Sequence, residues 1–117
     1  MVRVEDRLAQ LVRLAELKSE LELKRFSAFS NNIAAARQRI EAAETTIAGC
    51  YASAAPLSLA DARLASAEAG EAARQAARAR HELAQMLPRF DLARQRAVRE
   101  FGRAAALRDL SGKQGKT

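Results

Sequence analysis

Apolar residues recur with the 4-3 alternation of a coiled-coil seam in two stretches of the chain, one on each side of a short uncharged segment. In the first stretch the seam runs Leu8, Val12, Ala15, Ser19, Glu22, Phe26, Phe29, Ile33, Ala36, Ile40, Ala43, Ile47 and Cys50, and only Ser19 and Glu22 break it. Beside it, Leu11, Leu14, Leu17 and Leu21 widen the apolar surface of the first turns beyond what one partner helix covers. They read either as a second contact surface or as residues that simply favour helix. In the second stretch one line is regular: Ala62, Ala69, Ala76, Leu83, Phe90, Ala97 and Ala104. Its companion, read as Leu59, Ala73, Leu87 and Phe101, is interrupted by Ser66, Arg80, Arg94 and Arg108. Their arginine stems can lie along apolar surface while the heads stay in water.

The elements predicted from this pattern are a first helix over about 2–48, a connector over about 49–57 and a second helix over about 58–110, followed by a flexible basic tail at 111–117. Ala48-Gly49 supplies a helix stop, and Pro56 cannot continue a helix begun before it. Ser58 is a candidate N-cap, with Asp61 three residues on adding negative charge at the positive end of the helix. A connector this short makes the helices antiparallel neighbours, and the 3-4 seam gives them a left-handed twist. Helices of this length are rods of roughly 70–80 Å. Pro88 lies inside the second helix, where it removes a backbone donor and crowds the carbonyl four residues back. Because the seam continues from Leu83 through Phe90 to Ala97, the expectation is one helix kinked near Pro88. The fold class is therefore all-α, a long antiparallel two-helix coiled-coil hairpin. Each helix buries a single stripe, so the pair gains from a partner or from self-association.

Composition narrows the function classes. Alanine fills 28 of 117 positions, against no Trp, one Tyr and four Phe, which disfavours a strand-rich fold. One Cys and one His cannot make a disulfide or a zinc site, and no phosphate loop, carboxylate pair or nucleophile triad is present, so neither an enzyme nor a cofactor is expected. His81, between Arg80 and Glu82, reads as a solvated or seam-edge residue, and Cys50 as a small apolar plug. Asn31-Asn32 is either exposed or a register-fixing polar pair. The start of the chain has no apolar signal core and no stretch reaches the ~20 apolar residues of a membrane span, so a cytoplasmic chain is expected.

Charge is uneven. The net charge is +6; residues 1–50 hold 8 basic and 7 acidic side chains, and residues 51–117 hold 12 and 7. On a helical wheel Arg74, Arg78, Arg89, Arg96, Arg99 and Arg103 share one sector roughly 80° wide, away from the seam. Several readings stay open: a solvated face paired with Glu71, Glu82 and Glu100, a docking face for an acidic protein surface, a nucleic-acid contact, or a membrane-surface helix. Missing aromatic stacking residues and the acidic neighbours count against nucleic acid. The Ala-rich opposite face counts against a membrane.

The leucine-rich Leu8-Ala9-Gln10-Leu11-Val12-Arg13-Leu14-Ala15-Glu16-Leu17-Lys18 and the ending Arg99-Glu100-Phe101-Gly102-Arg103-Ala104-Ala105-Ala106-Leu107-Arg108-Asp109-Leu110, on a hairpin with a basic second helix, resemble the FliJ/YscO family. These are stalk proteins of flagellar and type III secretion export. The resemblance implies a non-catalytic hairpin that sits in the pore of a hexameric export ATPase and touches the export gate and chaperones. On that reading the partner-binding residues are Arg89, Arg96, Arg99, Arg103, Leu11, Leu14, Leu17 and Leu21. The alternatives are a homo-oligomeric coiled-coil scaffold or adaptor and, behind it, a basic nucleic-acid-associated protein.

Overall fold

The computed structural model describes residues 3–52 and 58–114, with the side chain of Gln114 left aside. Two helices account for nearly all of these residues: α1, Val4–Tyr51, and α2, Leu59–Gln114. They pack together as an all-α helical hairpin, and no strand occurs among the described residues. Their contacts divide into two units. Unit 1 joins Met1–Ser30 to Arg89–Thr117, and unit 2 is Asn31–Pro88.

The ends of the helices follow local chemistry. Glu5 and Asp6 occupy the first turn of α1, where carboxylates offset the positive end of the helix dipole. At the start of α2 the Asp61 backbone N–H donates to Ser58 Oγ at 3.1 Å, and the Ala62 N–H to the Ser58 carbonyl at 2.9 Å, so Ser58 is the expected N-cap. The predicted stop at Ala48-Gly49 is not used. α1 continues to Tyr51, and no described glycine has positive φ, so Gly49 makes no left-handed cap. The last turn therefore ends beside the uncharged segment, with no basic side chain to meet the dipole. Residues 53–57 of the expected connector lie outside the described residues. At the other end α2 reaches Gln114, which puts 111–114 of the expected tail into helix; residues 115–117 lie outside the described residues.

Pro88 sits within α2, which runs through it as one helix and not as two. Pro88 and Ala84, the residue whose carbonyl loses its donor, are both exposed, so the break costs less than it would in a core.

The α1 seam is as expected: each of its positions from Leu8 to Cys50, including Ser19 and Glu22, is buried or half-buried. The α2 seam needs a correction. Ala69, Ala76, Leu83, Phe90, Ala97 and Ala104 face inward, but the companion line is Ala65, Ala72, Ala79, Met86, Ala93, Glu100 and Leu107. Leu59, Ala73, Leu87 and Phe101, read as the companion line, are exposed, as is Ala62. Alanine at both candidate offsets made the two registers hard to separate, and the bulkier residues pointed to the wrong one.

Unit 2 packs around Ala43, Ala72 and Ala76, with Ile47 against them. Small side chains let the two backbones approach closely while burying little area per residue. Unit 1 has a larger pair: the rings of Phe26 and Phe90 lie 5.1 Å apart at 30°. Such aromatic pairs contribute on the order of 1 kcal/mol beyond their buried area.

Candidate docking surface

The corrected seam decides which side chains flank it. In an antiparallel pair the positions just after the second seam line of each helix face each other on one side, and those just before the first line face each other on the other. In unit 2 both sides obey the usual rule of opposite charges. Arg39 Nη2 donates to Glu82 Oε2 at 2.9 Å on one side, and Arg80 Nη2 to Glu44 Oε1 at 2.7 Å on the other. Glu82, expected among the neighbours of the arginine stripe, is thus a cross-helix partner of α1.

Unit 1 keeps the rule on one side only. There Arg108 Nε donates to Glu16 Oε1 at 3.0 Å. On the opposite side α1 presents Lys18 and Arg25, and α2 presents Arg89, Arg96 and Arg103. Like charges in flanking positions destabilise a coiled coil, and here nothing on the flank itself balances them. Widening the strip by one more position on each helix adds Arg7, Arg99 and Lys113. The remaining residues of this strip are Val4, Leu11, Leu14, Leu21, Ala28, Leu92, Ala106 and Leu110. Every position is therefore basic or apolar, and none is acidic.

Negative charge comes only from beneath. Glu22 and Glu100 occupy seam positions and are each 8% exposed. Arg25 Nη1 donates to Glu22 Oε1 at 2.9 Å, while Arg103 Nη1 reaches Glu100 Oε1 at 3.3 Å and Lys18 Nζ lies 3.8 Å from the same oxygen. Two carboxylates in the seam thus hold three of the flank's cations. Arg89, Arg96 and Arg99 have no carboxylate within ion-pair distance among the described residues. A sequence signal for this arrangement exists: Glu22 breaks a seam otherwise apolar apart from Ser19, and Lys18 and Arg25 lie four before and three after it. For Glu100 that signal depends on the correct α2 register.

The arginine stripe is divided. Arg74 and Arg78, in unit 2, both bind Glu71, at 3.1 and 3.3 Å. Hydrogen bonds from Arg74 and then Arg78, with their charge, hold the Glu71 carboxyl below its ordinary value of 4.5. That half is a solvated, self-paired face. Arg89, Arg96, Arg99 and Arg103 belong to the basic flank of unit 1. Leu11, Leu14 and Leu21 lie on the same flank, 51%, 63% and 47% exposed, and Leu17 stands next to them on the outer face of α1. Antiparallel pairing thus merges the leucines of α1 with the arginines of α2.

The other singletons are plainly placed. His81 is exposed, with Nε2 3.2 Å from the Gln85 amide, Cys50 is half-buried in the seam, and Asn31 and Asn32 are both exposed, away from the register. No described helix is long and apolar enough to cross a membrane. No family model, curated protein or solved structure matches the chain.

Proposed function

We propose that the chain is a non-catalytic coiled-coil adaptor that docks, through the basic and leucine-bearing flank of unit 1, onto an acidic and partly apolar protein surface. One observation carries this reading: in unit 1 the flank that joins Lys18 and Arg25 to Arg89, Arg96 and Arg103 has like charges where unit 2 has Arg39 paired with Glu82. A flank that repels itself in the isolated hairpin is neutralised when an acidic surface covers it. Arginine suits that role because its planar fork binds carboxylates in pairs of hydrogen bonds and keeps its charge at any physiological pH. The exposed leucines supply apolar contact between the charges, which favours a protein face over a bare polyanion.

The specific form of the proposal is a stalk or adaptor of a flagellar or type III export apparatus, bound to its hexameric ATPase and coupling it to the export gate or chaperones. It rests on the resemblance to the FliJ/YscO family and on the hairpin fold that such stalks share. A homo-oligomeric scaffold is the alternative.

The test changes Arg89, Arg96 and Arg99 together to Glu, because these three give up no ion pair when reversed. The helical signal by circular dichroism should stay, since exposed charges contribute little to folding. Affinity for a purified export ATPase, and stimulation of its hydrolysis, should fall at least tenfold, about 1.4 kcal/mol. Unchanged binding by a folded variant would remove the flank as the docking surface. Absence of binding by the wild-type chain would remove the export reading.

A further inference from the structure

The other side of unit 1 carries a different pattern. Leu23 on α1 and Val98 and Phe101 on α2 are 57%, 64% and 67% exposed, and with Phe26 and Ala97 they line a groove of about 250 Å³. Two helices alone cannot close the seam here, so the half-buried Phe26 still shows in the groove. The volume is below the roughly 300–1,000 Å³ of small-molecule sites, which suits entry of single apolar side chains.

We propose that this groove is a self-association surface, in which Phe101 of a second copy enters and the chain's own Phe101 enters the groove of that copy. A two-fold interface joins a surface to itself, so its rim must be complementary to itself, a condition that no other partner imposes. The rim is compatible with this, since Glu16, Glu20 and Asp91 are balanced by Arg13, Arg94 and Arg108 and a second copy meets no excess of its own charge. The existing pairs, Arg108 with Glu16 and Arg94 with Asp91 at 3.3 Å, are exposed and can exchange across the interface at little cost. On the basic flank a second copy would bring Arg89, Arg96 and Arg99 against their own kind, so self-association is steered to the groove. Phe is also among the aromatic residues enriched at protein interfaces.

The experiment measures the mass of the full chain by sedimentation equilibrium from about 1 to 100 μM at low and high salt. The expected result is a dimer, twice 12.7 kDa, that persists at high salt because its core is apolar. Phe101→Glu should raise the dissociation constant at least tenfold with helical content retained. Leu23→Gln reads the same surface from the other helix should the first variant lose its fold. The paired change Arg96→Glu and Arg99→Glu should leave the dimer intact, which separates this inference from the docking function. A wild-type chain that is monomeric at about 100 μM, or folded groove variants that dimerise like wild type, would overturn it.

Discussion

Glu100 shows how a single seam residue can trade stability for arrangement. At 8% exposure it is held by Arg103 and Lys18, and shifting either helix by one heptad would separate the carboxylate from one of them. The Lys18 and Arg103 side chains are about 60% exposed, so removing Glu100 strands no buried charge, and an apolar residue in its place avoids the cost of burying a carboxylate. Glu100→Leu should therefore hold or raise the melting temperature, read by circular dichroism, while the released Lys18 and Arg103 add to the repulsion on their flank. A clear fall in melting temperature would mean that offsetting those cations matters more than apolar contact. At Phe90 the direction is opposite: Phe90→Ala removes half of the ring pair with Phe26 and should cost about 2 kcal/mol, below the ~3–5 kcal/mol of a fully buried ring. Glu71 gives a third case. Its carboxyl is lowered by Arg74 and Arg78, so its contribution is present above the ordinary carboxylate value of 4.5 and is lost as pH falls through the depressed one. Glu71 is exposed, with half of its side chain open to water, so Glu71→Gln should be only slightly less stable than wild type near neutral pH, and a pH titration should show the two converging on the acid side.

At the scale of the helices, Pro88 and the ion pairs across the seam behave differently. α2 passes Pro88 at an exposed position, and the residue is the last of unit 2. Pro88→Ala restores one backbone hydrogen bond and favours helix, against up to about 3 kcal/mol for an interior proline. The expected outcome is a higher melting temperature or more helical signal; a marked loss would show that the chain needs the proline's geometry. The bridges Arg39–Glu82 and Arg80–Glu44 are each about half exposed, so breaking one should cost no more than about 1 kcal/mol. Their importance lies in register, because both form only when the correct α2 line faces α1.

For the whole chain, the two sides of unit 1 predict two salt dependences. Docking through Lys18, Arg25, Arg89, Arg96, Arg99 and Arg103 is a meeting of charges, and raising ionic strength from 0.1 to 1 M shortens the screening length from about 10 to 3 Å. Binding of an acidic partner should weaken steeply over that range. Association through Leu23, Val98 and Phe101 should hold. A titration calorimetry series with partner, beside sedimentation of the chain alone, distinguishes them, and equal salt sensitivity of both would count against two separate surfaces.

Much of the fold was legible in the sequence for a physical reason. The α1 seam is written in residues of contrasting size and polarity, Leu8, Phe26, Ile33 and Ile47 among charges, and a periodicity so marked has one solution. The Ser58 cap is local chemistry and depends on nothing distant. The α2 register was not legible, because alanine fits a seam and a surface equally well, and only contact with α1 chose Ala72, Ala79 and Ala93 over Leu59, Leu87 and Phe101. The proposed docking surface depended on that choice. Leu11, Leu14 and Leu21 on one helix and Arg89, Arg96 and Arg103 on the other are separate patterns along the chain. Whether they share a side is a property of two helices at a given register, and tertiary packing alone decided it.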